Sequence, residues 1–171
     1  MEYLIFAIIT WIIWKIFVSK KNSKIILGYE GERKDNKRHG KGTYTSNNGD
    51  KYGGDWFEDQ KHGKGTYTWS DGDKYEGDWL EGLMHGEGVF TWSDGEKYEG
   101  QFKDGIIDGQ GRYTYASGDV YVGDWKDNKK NGTGTMVYAN GDMYVGQWED
   151  DKRNGQGTEA LNGGPKYAGR W

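Results

Sequence analysis

YEGDWLEGLMHGEGVFTWSDGEK, residues 75–97, holds every feature that the rest of the chain repeats. Tyr75, Gly77 and Trp79 alternate, so all three point to one face of a strand while Glu76 and Asp78 point to the other. A His85-Gly86-Glu87-Gly88 block follows. A second alternating run then puts Gly88, Phe90 and Trp92 on one face. Asp94-Gly95 closes the unit. Asp-Gly is a preferred central pair of a type I′ hairpin turn, which needs positive φ at both positions, so a tight turn into the next Tyr strand is predicted there.

Outward from this stretch the same signals recur every 23 residues without insertion or deletion. Tyr29, Tyr52, Tyr75, Tyr98, Tyr121, Tyr144 and Tyr167 are in phase. Two positions on stand Gly31, Gly54, Gly77, Gly100, Gly123, Gly146 and Gly169. Two further are Trp56, Trp79, Phe102, Trp125, Trp148 and Trp171, with Arg33 as the departure. The second block runs from His39-Gly40-Lys41-Gly42 to Asn154-Gly155-Gln156-Gly157, and the turn pairs from Asn48-Gly49 to Gly163-Gly164. At the opposite loop Asn36, Asp59, Gly82, Gly105, Asn128 and Asp151 share a phase, and all tolerate left-handed backbone. Each unit reads as two short antiparallel strands. The glycines inside them are expected to leave room for neighbouring rings.

The pattern predicts an all-β fold, an elongated single-sheet antiparallel β-hairpin solenoid. With strands ~4.8 Å apart, six repeats make a strip roughly 60 Å long. Tyr-x-Gly-x-Trp, then His-Gly-x-Gly, then Asp-Gly, at this period, resembles the MORN repeat (membrane occupation and recognition nexus). The resemblance covers residues 29–171, six copies and a terminal half, although copies from Asp108 onward lack the histidine. It implies a scaffold that holds proteins to one another, to membranes or to cytoskeleton, and lipid binding is also attributed to the family.

Ahead of the array, residues 3–18 read YLIFAIITWIIWKIFV, apolar except for Thr10 and Lys15. As a helix the run is roughly 24 Å long, a little short of the hydrocarbon core, with Lys15 placed to snorkel and Trp11 and Trp14 suited to the interface. A cleaved signal peptide would carry its charge before the run and small residues at the cut site. Here Lys20, Lys21 and Lys24 follow it, which favours one uncleaved N-terminal transmembrane helix with the repeats on the cytoplasmic side. The expected organisation is residues 1–24 as a hydrophobic anchor with a basic flank and residues 25–171 as the array.

Composition narrows the chemistry. The chain has 171 residues, 30 of them glycine, with 9 Trp, 13 Tyr and no cysteine, which excludes disulfides and thiolate chemistry. Its net charge is −4; residues 1–24 carry +3, leaving −7 on the array. An acidic body argues against nucleic acid as a partner. His39, His62 and His85 lie in successive repeats ~10 Å apart, too far to share one metal ion, and an imidazole bonded to loop backbone is the expectation. Acidic turns such as Asp71-Gly72-Asp73 lack the calcium-loop spacing. Every carboxylate recurs with the repeat and no nucleophile motif is present, so no enzyme, metal or cofactor is expected.

The aromatic face is the candidate site. A sheet with no covering layer would leave more apolar surface open than monomers usually carry. A second copy, a partner's helix or curling of the strip would cover it, unless tight stacking buries enough by itself. The candidate groove is Tyr67, Trp69, Phe90, Trp92, Tyr113, Tyr115 and Tyr138. The preferred reading is a membrane-tethered scaffold for a protein partner or for self-association. The alternative is a module that reads phosphoinositides through basic loops, Lys37-Arg38, Lys61, Lys129-Lys130 and Lys152-Arg153, although adjacent acids make that edge mixed. Leu83-Met84 and Ile106-Ile107 interrupt the basic pattern mid-array and are a candidate contact spot.

Overall fold

The computed structural model describes residues 28–171. Each 23-residue unit contributes a Tyr strand, seven residues long except for the first and last of the array, and a nine-residue strand from the Gly-x-Gly block. The strands are β1 (Tyr29–Lys34), β2 (Lys37–Thr45), β3 (Lys51–Phe57), β4 (Gln60–Thr68), β5 (Lys74–Leu80), β6 (Leu83–Thr91) and β7 (Lys97–Lys103). They continue as β8 (Ile106–Thr114), β9 (Val120–Lys126), β10 (Lys129–Val137), β11 (Met143–Glu149), β12 (Lys152–Ala160) and β13 (Lys166–Arg170). All thirteen form one antiparallel sheet whose spatial order is the chain order. The single-sheet hairpin array is therefore as the period predicts. The predicted transmembrane helix, residues 3–18, and the anchor region 1–24 lie outside the described residues; among those described, no helix is long and apolar enough to cross a membrane.

The core is a row of rings along one face. Tyr52, Tyr75, Tyr98, Tyr121 and Tyr144 are fully buried, with Trp56, Trp79, Phe102, Trp125 and Trp148 beside them. Each six-membered ring meets its neighbours edge-on: Tyr75 lies 5.1 Å from Trp79 and 5.0 Å from Phe102, at 90° and 84°. Such T-shaped pairs match ring edge to ring face. The Tyr ring lies over paired glycines, and the ring is the strand's own. A Cβ on Gly77 would meet Tyr75 Oη at 2.5 Å, and one on Gly88 would meet Tyr75 Cε2 at 2.5 Å. The buried hydroxyls are satisfied, Tyr75 Oη donating to Asp78 O at 2.9 Å and Tyr52 Oη to Asp55 O at 2.9 Å. The indole N–H groups of Trp56, Trp79, Trp125 and Trp148 donate to Gly42, Gly65, Gly111 and Gly134 carbonyls.

The Gly-x-Gly block is a bulge. Gly54 pairs with Gly65 and Asp55 with His62, so Gly63 and Lys64 drop out of the ladder between β3 and β4. Gly63 takes φ 55, and Asp55 Oδ2 accepts the unpaired Lys64 N–H at 3.0 Å. The same service comes from Asp78 to Glu87, Gln101 to Gln110, Asp124 to Thr133 and Gln147 to Gln156.

The turns differ from the expectation. The two-residue type I′ geometry is at the other end of the strands: Glu58 and Asp59 have φ 49 and 70, between paired Phe57 and Gln60. At the Asp-Gly end the loop has three residues. Trp69 N donates to Asp73 O at 2.9 Å, Gly72 N donates to Trp69 O at 3.1 Å, and only Gly72, at φ 102, is left-handed. One added residue before the glycine lets an ordinary turn and a single left-handed position replace two.

Loops at both ends are stapled to the next unit. Asp50 Oδ1 accepts Ser70 N at 2.9 Å, and Asp73, Asp119 and Asp142 repeat the contact with Ser93, Ala139 and Asn162. At the opposite end Arg38 N donates to Asp59 Oδ1 and Lys130 N to Asp151 Oδ1. The acidic turns are thus held by backbone N–H groups, which is turn and inter-repeat chemistry.

Candidate functional site

Above the buried floor lies a second tier of rings. Tyr67, Trp69, Phe90, Trp92, Tyr113 and Tyr115 are half-buried and form one ladder. Ring centroids are 4.5 Å apart within each strand (Tyr67–Trp69, Phe90–Trp92, Tyr113–Tyr115) and 5.2 Å apart from one unit to the next (Trp69–Phe90, Trp92–Tyr113). Tyr67 and Tyr113 also touch the floor at Trp79 and Trp125. Of the seven groove residues named from sequence, the structure brings these six together. Tyr138 stands apart, because Met136 replaces the ring at the phase of Tyr113; its hydroxyl instead accepts from Arg153 Nη2 at 2.9 Å. Ser46 at the phase of Trp69 ends the ladder on the other side. Beyond it a hollow of about 310 Å³ opens among Arg38, Tyr44, Tyr52, Trp56, Lys61 and Tyr67.

The floor is closed, with Tyr75 at 0 % and Trp79 at 4 % exposure, by its own edge-to-face rings and by the side chains packed on them, such as Tyr67 and Lys61 over Trp79. Of the two alternatives, an open aromatic face and burial by tight stacking, the second holds for the floor, and what remains accessible is the upper ladder.

A row of basic and apolar side chains, read from the sequence as loop-edge residues, borders the ladder. Arg38, Lys61, Met84, Ile107, Lys130 and Arg153 share one phase and point to the ring face, an even number of residues before the ladder rings. That parity was the available signal. Arg38 Cζ lies 4.2 Å from the Trp56 ring, Lys61 Nζ 3.9 Å from Trp79, and Arg153 Cζ 4.7 Å from Trp171, distances of strong cation–π contact. Arg38 and Arg153 are paired with Asp59 and Glu159. Lys61 and Lys130 have no carboxylate within 4 Å among the described residues; Lys130 Nζ donates to Tyr115 Oη at 3.1 Å. Met84 and Ile107 take the two central positions, so half of each apolar pair seen in the sequence joins the ring face. Leu83 stays exposed and Ile106 partly so. Lys37 and Lys129 face the loop edge, bonded to Glu58 and Asp150, as a mixed edge requires.

The histidines do not bond loop backbone. His39 and His62 pack on Phe57 at 5.2 and 5.7 Å, and Nδ1 of His39 and of His85 has no hydrogen-bond partner. The back face is polar in the N-terminal units, with Lys74–Glu76 and Lys97–Glu99 pairs, and β-branched further on, where Val122 and Val145 are exposed.

Burial pushes the Lys61 ammonium down to about 8. An unfolded lysine titrates near 10.4, so between these values the unfolded chain holds a proton that the folded chain has shed, and stability rises with pH there. Tyr52, Tyr75 and Tyr98, pushed up by burial, act in the opposite sense above pH ~10, where unfolded phenols ionise first. The urea midpoint is expected to rise between pH ~8 and ~9.5 and to lose that rise in Lys61→Met, which copies Met84 of the next unit. An unchanged slope in the variant would remove Lys61 from the account.

A family model described as the MORN repeat matches residues 29–51, 52–74, 75–97, 98–120, 121–143 and 144–164. No curated protein matches the chain. Among solved structures, one similar chain is the SAS-4 (dCPAP) TCP domain of Drosophila melanogaster, solved in complex with a proline-rich motif of Ana2 (dSTIL). It is 15 % identical, with a TM-score of 0.49 over 75 % of this chain and 71 % of that one.

Proposed function

The chain belongs to the MORN-repeat family, and from that premise we propose that it is a non-enzymatic scaffold that holds a protein partner on its ring face, tethered to a membrane through residues 3–18. The observation that carries this reading is the upper ladder. Six half-buried rings lie in line, packed on a fully buried floor and each keeping part of its own surface open. Each ring that a partner covers contributes on the order of 1 kcal/mol from its remaining apolar area. The back face offers no comparable line of rings. The apolar run at residues 3–18, followed by lysines, supports the tether.

Two measurements test the two halves. Full-length protein is expected to stay in the membrane pellet through a wash at ~1 M salt, where the Debye length is ~3 Å, and a chain lacking residues 1–24 is expected in the soluble fraction. A truncated chain that pellets with membranes and is released by salt would replace the tether with phosphoinositide recognition by the array. Protein capture by full-length chain should be lost in Trp92→Ala on the ladder and kept in Val122→Ala on the back face. Equal capture by both would end the ring-face reading.

A further inference from the structure

Lys61 and Lys130 mark the ends of an apolar stretch of the ring face, three repeats apart. Three repeats are six strand spacings, or ~29 Å. Between them lie Met84 and Ile107 on one side and the ladder from Trp69 to Tyr115 on the other. Among the described residues both ammonium groups lack a carboxylate partner, whereas the neighbouring Arg38 and Arg153 have theirs. Trp69 and Trp92 differ from the floor tryptophans in a second respect. Trp56, Trp79, Trp125 and Trp148 donate their indole N–H to glycine carbonyls, but those of Trp69 and Trp92 donate to no acceptor among the described residues.

We propose that the occupant of this stretch is an extended polyproline-II segment with proline at every third residue, flanked by acidic residues that pair with Lys61 and Lys130. The inference rests on the ring-face reading and adds the chemistry of the partner. Pitch decides between extended and helical partners. A polyproline-II helix repeats every three residues, or ~9.3 Å, while the array repeats every two strands, or ~9.6 Å, so the drift over three repeats is under ~1 Å. An α-helix returns to the same face after two turns, ~10.8 Å, and drifts by more than ~3 Å over the same length. One proline can therefore lie against the rings of each successive unit. The carbonyls of such a segment have no internal hydrogen bonds and are acceptors for the free indoles of Trp69 and Trp92. The ~29 Å between the two ammonium groups sets the acidic residues about nine residues apart at ~3.1 Å each.

The test titrates full-length protein in detergent micelles with labelled synthetic peptides, read by fluorescence anisotropy. The first peptide has prolines at every third position between glutamates about nine residues apart. A second has the same composition with prolines at every fourth position, and a third is an amphipathic helix of equal charge. Saturable binding of the first is expected, about tenfold tighter than of the second. It should weaken about tenfold in the Lys61→Ala, Lys130→Ala double variant and with rising salt, and about threefold in Trp92→Phe, which keeps a ring and removes the donor. Equal binding of the first two peptides, or no effect of either variant, overturns the proposal. Binding of the helix alone, lost in Trp92→Ala, overturns the polyproline assignment and leaves the ring-face reading intact. Binding of phosphoinositide vesicles with no binding of any peptide overturns both.

Discussion

Gly88→Ala is expected to cost about 3 kcal/mol or more, the upper end for overpacking a rigid core. The added Cβ would sit 2.5 Å from Tyr75 Cε2 and 2.5 Å from Tyr75 Oη. The ring has no free direction. It is fully buried, wedged between Trp79 and Phe102, and tied through its hydroxyl to Asp78 O. Across the ladder Gly88 faces Gly77 on one side and Gly100 on the other, so the backbone cannot bow away without breaking two pairings. Gly95→Ala is the control. Nothing lies within 4 Å of a Cβ there, and only its φ of 93 resists, at about 1–2 kcal/mol. Urea unfolding of both variants measures the difference. Because repeat arrays are coupled mainly between neighbours, the Gly88 variant is also expected to split the transition, its two flanks melting separately. Equal midpoints for the two variants would refute the reading of Tyr75 as a ring locked onto glycine.

Trp79→Ala carries the second large effect, about 3–5 kcal/mol. Trp79 meets Tyr52 at 5.3 Å and Tyr75 at 5.1 Å, so it joins two units, and its Nε1 donates to Gly65 O at 3.1 Å. Its removal leaves a cavity between two Tyr edges, frees a buried carbonyl and takes away the ring beneath Lys61. Trp69→Ala removes a residue of the same size from the upper ladder, where it is half-buried and donates to no acceptor among the described residues. About 1–2 kcal/mol is expected there. Comparing the two thermal or urea midpoints separates floor from ladder. Comparable losses would mean that the ladder is core, and that no ring is left over for a partner.

Much of this was legible in the chain because each signal is local and repeated. Tyr75-x-Gly77-x-Trp79 shows both its strand and its buried face by alternation alone, and the recurrence of Tyr every 23 residues leaves only one sheet order to draw. The turns were harder. Asp71-Gly72 and Glu81-Gly82 both place a left-handed residue in a loop, and which loop has two residues and which has three depends on strand register. The bulge was invisible for a related reason. Nothing in His62-Gly63-Lys64-Gly65 says that two residues leave the ladder, since Asp55 compensates from another strand. Six of the seven rings named from sequence lie in one ladder. Tyr138 lies outside it, because a methionine at position 136 interrupts the row through packing between units rather than through period. Lys61 and Lys130 were read as edge residues although their parity put them with the rings. Charge drew attention to the solvent, while the aliphatic stem and the Trp face held them inward.

The staples between loops have a consequence for how such a chain can change over generations. Each joins a side chain to an amide 20 or 21 positions away, always within an adjacent copy. Duplicating or deleting one whole copy would therefore leave every remaining bond with a partner of the same kind, while gaining or losing a few residues would strand both neighbours. Length is thus a heritable quantity that moves in steps of ~9.6 Å, each added without redesigning the rest.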